Sequence, residues 1–143
     1  TDADPSAKTD GKTVPLYPGP NDTVMPSDTA KQMLAGQDDL VKVFLGKKTF
    51  EYDLALVAGN RPAMLAALKE LHPMIGARVA MAVDAAVDDQ AKAKALFCGM
   101  FEREHGNVSK GRFAQALAAQ IEDEKLDIEA PGYILDAIKH VCQ

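Results

Sequence analysis

The stretch PAMLAALKELHPMIGARVAMAVDAAVDDQAKAKALFCGMFEREHG, residues 62–106, reads as three helices separated by two stops. Asn60 and Pro62 mark the first helix start, because proline at the first turn loses no hydrogen bond that the helix needs. The His72-Pro73 step ends PAMLAALKEL, since proline disfavours the helical conformation in the residue before it. In PMIGARVAMAVDAAV, residues Ile75, Val79, Val83 and Val87 recur at helical spacing on one face. Asp88 or Asp89 then supplies an N-cap for DQAKAKALFCGMFEREH, which Gly106 closes.

Working outward, the same helical spacing continues. Ser109 can cap KGRFAQALAAQIEDEK, with Phe113, Leu117 and Ile121 aligned, and Pro131 opens PGYILDAIKHVC. There Ile134, Leu135, Ile138 and Val141 are expected to form a buried stripe. Upstream, Ser27 can cap DTAKQMLAG, with Gly36 closing it, and QDDLVKVFLG is expected to be another short helix. TFEYDLALVAGN fits two patterns. Phe50, Tyr52, Leu54 and Leu56 alternate as in a strand, while Phe50, Leu54 and Val57 fit a helix. Helix is preferred, with a small hairpin near residues 40–57 as the alternative.

Residues 1–25 differ. With the next few residues they hold five prolines and no apolar period, so they are expected to be an extended or disordered arm. The expected fold is therefore all-α. A compact bundle of about five to seven short helices, residues 26–143, forms a single domain behind that arm.

Bulk properties exclude several classes of function. Sixteen basic against 21 acidic residues give a net charge of −5, which argues against a nucleic-acid surface. No apolar run approaches the ~20 residues that span a bilayer. The chain starts at Thr1 rather than Met, as a processed or excised protein would.

The only two cysteines, Cys98 and Cys142, both fall on expected inward faces of helices. A disulfide between them would close a loop of about 44 residues and stabilise by about 4 kcal/mol in the chain-entropy model. Such a bond favours an oxidising compartment, hence a periplasmic or secreted protein.

No motif carries chemistry. Glu102 and His105 form half of a di-iron pattern, but neither His72 nor His140 has a glutamate at the matching position. A cation beside the dipole of a helix end explains His105. His140 and Cys142 are too few for zinc, which needs four ligands. Ser109 lacks a nucleophile turn, and GNVSKG lacks the glycine spacing of a phosphate loop. No catalytic residue, metal or cofactor is expected.

Two binding features remain. Glu122, Asp123, Glu124, Asp127 and Glu129 crowd one connection against a single Lys125, and could steer onto a basic partner. Met33, Met64, Met74, Met81 and Met100 could instead line an apolar pocket between helices.

The segments LFC (96–98), VSKGRFAQALAAQI (108–121) and APGYILDAIKHVC (130–142) resemble the small periplasmic immunity proteins that protect bacteria from type VI secreted amidases. In that family a Phe-Cys precedes an amphipathic helix, and a final helix ends in Cys, so Cys98 and Cys142 would be the matching positions. The resemblance implies a helical protein, often a homodimer, that binds and blocks a cell-wall-degrading toxin. The expected function is therefore a protein-binding, inhibitory role in the bacterial envelope. The alternatives are a carrier of an apolar ligand and a structural subunit of an envelope complex, whose contact site would be the N-terminal arm.

Overall fold

The computed structural model describes residues 1–123 and 126–142. Among them the fold is all-α with one small hairpin: β1 (Ser6–Thr9), β2 (Lys12–Pro15), α1 (Asp28–Ala35), α2 (Phe50–Leu56), α3 (Arg61–Leu71), α4 (Pro73–Ala85), α5 (Asp89–Phe101), α6 (Lys110–Asp123) and α7 (Gly132–Val141). The chain divides into two compact units, one comprising Thr1–Asp53 with Ala130–Gln143, the other Leu54–Glu129.

The second unit is built around α3, which packs against α4, α5 and α6. Its buried residues Ala63, Met64, Ala67 and Leu68 form the stripe that a 3.6-residue period predicts. Leu96, Phe97, Met100 and Phe101 of α5 and Phe113, Ala116 and Leu117 of α6 complete the core. Phe101 meets Phe97 at 5.6 Å and Phe113 edge-on at 5.7 Å between ring centroids, an arrangement aromatic pairs favour. The stops act as read from the sequence. His72 ends α3, with its amide bonded to the Leu68 carbonyl, and Pro73 begins α4. Asp88, rather than Asp89, is the cap of α5, its carboxylate accepting from the Ala91 amide at 2.7 Å. Ser109 accepts from the Arg112 amide at the start of α6. Val87 lies beyond α4 and is exposed, so the apolar face of that helix is shorter than its spacing suggests.

Gly76 sets how closely α3 and α4 approach. A Cβ there would lie 2.6 Å from the Lys69 Cγ and 2.8 Å from its Cα. The backbone of Lys69 can yield only if the helices separate. Gly76→Ala is expected to destabilise by about 1–3 kcal/mol, as overpacked cores do. Gly111→Ala, where nothing lies within 4 Å, is the control, and it should not destabilise. Urea midpoints of the two variants check this; equal midpoints would mean that the α3–α4 contact is soft.

In the first unit the arm is ordered. β1 and β2 pair antiparallel, Ser6 opposite Pro15 and Thr9 opposite Lys12. Asp10 and Gly11 turn the chain with φ of 51° and 74°, the mirror-image turn that matches strand twist. Residues before the hairpin are sewn to the segment ahead of α2. The Gly46 amide donates to the Thr1 carbonyl at 2.9 Å, the Ala3 amide to the Lys48 carbonyl at 3.0 Å, and the Ser27 amide to the Ala3 carbonyl at 2.8 Å. The Tyr52 hydroxyl donates to the Pro18 carbonyl at 2.9 Å, and Tyr17 packs edge-on against the same ring.

The preferred helical reading of TFEYDLALVAGN holds over α2; the alternative hairpin near 40–57 does not form, and the strand pairing among the described residues lies in the arm. Residues 37–46, by contrast, are not the expected helix. The Asp38 carboxylate accepts from the amides of Leu40 and Val41, both at 2.8 Å, and the Gln37 side chain accepts from the Val43 amide. These side chains satisfy amides that a helix would otherwise use.

Candidate functional site

The first unit holds an apolar groove of about 590 Å³ between α7 and the segment before α2. Its walls include Met33, Val41, Val43 and Phe44 on one side and Tyr133, Ile134, Ala137 and Ile138 on the other. Residues 41–44 line it and do not wind into a helix, because the Asp38 and Gln37 side chains take the amides of Leu40, Val41 and Val43. The opposite wall follows from the helical spacing of Ile134, Ala137 and Ile138. His140 rests against Phe44 at 5.7 Å between ring centroids.

This groove leaves apolar surface in water. Ile138 is 51 % exposed, against 52 % for Val41 and 47 % for Met33; Val141, on the same helix but outside the groove lining, is 80 % exposed. The stripe of α7 expected to be buried is thus only half covered, and no residue of that helix is fully buried. Lys42 is the basic group on the rim, and it makes no ion pair or hydrogen bond among the described residues.

Behind the groove lies a buried carboxylate. Asp53, on α2, accepts from the Lys47 amide at 3.0 and 2.9 Å through its two oxygens. Burial pushes its pKa up to about 6 against the pull of the Lys47 and Lys48 amides, and Asp2 adds to the rise. Tyr133 is pushed up to about 12 by burial and by the neighbouring Asp53, Asp2 and Glu51. Gly46 makes room for the carboxylate, since a Cβ there would lie 2.0 Å from Asp53 Oδ2. This cluster fixes the loop at 46–48. With its carboxylate held by two backbone bonds and its phenol kept protonated, it is structural in character.

In the second unit, Glu122 and Asp123 close α6, and Asp127 and Glu129 follow it; all four are exposed. None of their side chains makes an ion pair or hydrogen bond among the described residues. Glu124, the fifth member of the expected acidic cluster, lies outside the described residues, as does Lys125. The end of this connection is fixed by Asn60. Its amide oxygen accepts from the Glu129 amide at 2.8 Å, while its nitrogen donates to the carbonyls of Glu129 at 2.9 Å and Leu54 at 3.1 Å. Asn60 stands at the N-cap of α3 with Pro62 in its first turn, so the helix starts where these residues mark it; the Asn60 side chain makes no capping bond and serves the clamp instead. Arg61 beside it is equally buried, donating to the Ala55 carbonyl at 2.8 Å and pairing with Asp89 at 2.8 Å.

The expected disulfide is not formed. Cys98 and Cys142 belong to different units, and neither is in a disulfide. Cys98 is half-buried on α5 and lies 3.6 Å from the Glu102 carboxylate, whose pKa is raised by burial. Cys142 is exposed at the end of α7, because the α7 stripe it was expected to share is itself open to solvent.

The methionines do not share a pocket. Met64 and Met100 are fully buried core residues, Met33 lines the groove, and Met74 and Met81 point into solvent. Among the described residues, no group of three or more metal-ligating side chains comes together, and no helix is long and apolar enough to cross a membrane. Comparison with protein-family models, with curated proteins and with solved structures finds no match to this chain.

Proposed function

We propose that the chain is a non-catalytic protein-binding module of the inhibitory, immunity-like kind, acting in the bacterial envelope, and that its binding face is the apolar groove of the first unit. The observation that carries this reading is the open stripe of α7. An amphipathic helix in a monomer ordinarily buries its apolar face. Here Ile138 stays half in water in a groove shared with Val41 and Met33, and Val141, at the end of the same helix, is exposed as well. Contiguous exposed apolar surface marks interaction sites.

The occupant that fits is one amphipathic helix of a partner protein, laying two or three apolar side chains between α7 and residues 41–44. An acidic residue flanking that helix would meet Lys42. A small apolar ligand fits less well. Ligand sites bury about 70–90 % of the ligand, whereas these walls are themselves half exposed. The dispersal of the methionines removes the other support for a carrier.

A second contact is favoured by the Asn60 clamp. It presents the exposed carboxylates of Asp127 and Glu129 on a backbone held at one end, which suits a basic cleft in an inhibited toxin.

Photo-crosslinking through a probe at Ala137 in the native host, followed by reconstitution with the captured protein, tests both contacts. Ile138→Glu is expected to weaken that complex by about 30-fold or more, as loss of a central apolar contact does, without lowering the melting temperature. Asp127→Lys with Glu129→Lys should weaken it and flatten its salt dependence. Cross-links only to further copies of the chain would make the groove a homodimer face. Affinity unmoved by Ile138→Glu would remove the groove from the account.

A further inference from the structure

The second unit carries a cleft separate from the surfaces described above, of about 420 Å³, between α4, α5 and the turn that follows α5. Its floor is small and apolar: Val79 and Ala82 from α4, Ala95 and Gly99 from α5. Gly99 keeps that floor low, since a Cβ there would lie 2.6 Å from the Val79 Cγ2. Two guanidinium groups, Arg78 and Arg103, line the cleft together with His105, against one carboxylate, Glu104. In a chain of net charge −5 this is a local excess of positive charge.

The cationic wall is built rather than draped. After α5 the chain folds back, with the Val108 amide bonded to the Met100 carbonyl at 2.8 Å. The Asn107 side chain accepts from the Arg103 amide at 2.9 Å. Gly106, at a φ of 72°, lets its carbonyl accept from Arg103 Nη1 at 2.8 Å. That bond holds the Arg103 guanidinium by one nitrogen and leaves its other N–H groups to donate elsewhere. Arg78 makes no hydrogen bond or ion pair among the described residues, although Glu104 lines the same cleft.

We infer that this cleft is a binding site for a small apolar carboxylate, its head taken by Arg78 and Arg103 and its hydrocarbon part laid on the Val79–Gly99 floor. A planar guanidinium offers paired donors that match the two oxygens of a carboxylate. The alanine and glycine floor admits a short chain and offers the head no competing polar group. The same head chemistry is found on free carboxylic acids and at the C-terminus of a polypeptide, so both sources belong in the test.

The experiment is a two-dimensional amide NMR titration of the full chain with hexanoate, hexanol, inorganic phosphate and a short peptide with a free or amidated C-terminus. Hexanoate is expected to give saturable shifts at Ala82, Ala95, Gly99 and Arg103, with affinity about tenfold or more above hexanol or phosphate. Arg78→Gln, a change at an exposed side chain, should weaken hexanoate about tenfold with the spectrum otherwise unchanged. Ala82→Leu, also at an exposed position, should block the floor and abolish binding. Shifts from the free peptide that exceed those from hexanoate, and vanish on amidation, would assign the site to a chain terminus. No saturable shift below roughly 10 mM, or equal response to phosphate and hexanoate, would overturn the inference. So would a hexanoate affinity that Arg78→Gln leaves unmoved.

Discussion

Asn60→Ala is expected to destabilise the second unit by roughly 3–4 kcal/mol, a large loss for a polar side chain. The side chain is fully buried and makes three hydrogen bonds to backbone groups. Alanine removes all three and leaves the Glu129 amide and the Glu129 and Leu54 carbonyls without those partners. A buried group stripped of its partner costs about 1–3 kcal/mol; water entering the space left by the amide offsets part of that. The loss should be read as a lower urea midpoint for the unfolding of core residues such as Leu68 and Phe113, together with faster amide exchange at Glu129. Asn60→Asp sharpens the test. Its oxygen still accepts from the Glu129 amide, but a second carboxylate oxygen then faces two carbonyls. That variant should be weakest near neutral pH and recover in acid, where a protonated carboxyl can donate to one carbonyl. A loss below about 1 kcal/mol in the alanine variant would show that the acidic connection is not held by Asn60.

The second large effect is a pH dependence that comes from Asp53. In the folded chain its pKa is raised by burial to about 6, from an ordinary 3.8. Between these values the folded state keeps a proton that the unfolded chain releases, so folding takes up a proton. The contribution to stability is therefore present in full below about pH 4. It is lost as pH rises through about 6 and amounts to roughly 3 kcal/mol. The charged neighbours are Asp2 and Lys47, with Glu51 acting alongside Asp2 on the adjoining Tyr133. Since other groups titrate too, the quantity to measure is the stability of the parent chain minus that of Asp53→Asn across pH 4 to 7.5. That difference should fall as pH rises. A flat difference would mean that Asp53 is solvated as an ordinary surface carboxylate.

How much of this was legible depended on whether a local signal met a local cause. His72-Pro73, Asp88 and Ser109 act through their own backbone or side chain within one turn, and each ends or starts a helix as its chemistry dictates. The hairpin carried a local signal too, in Asp10-Gly11. The reading from the prolines alone passed over it, yet Pro5 precedes β1 and Pro15 ends β2, where a missing amide does little harm. Both strands are almost wholly exposed, so no alternation of apolar residues could announce them. In residues 37–46 the apolar spacing pointed to a helix, but Asp38 and Gln37 took the amides instead.

The candidate site was less legible, because burial is not a local property. The period of α7 identifies an apolar face without saying whether this chain or another molecule covers it. Reading that face as covered placed Cys142 inside and suggested the bond to Cys98; the open face leaves Cys142 exposed, and the bond is not formed. Val41 and Phe44 of the groove and the Asn60 clamp depend on contacts distant in sequence, 69 positions for Asn60 with Glu129. Arg78 and Arg103 of the cationic cleft are likewise brought together only by the packing of α4 on α5. The acidic run was visible directly, and its described members are exposed.

The occupant proposed for the α7 groove is a segment of a protein partner. The most direct test is native mass spectrometry of the chain, and of its Ile138→Glu variant, each recovered gently from the native host. The account expects the parent chain to carry one stoichiometric second polypeptide and the folded variant to carry none. A bare parent chain would contradict it, as would the same small apolar adduct on both proteins.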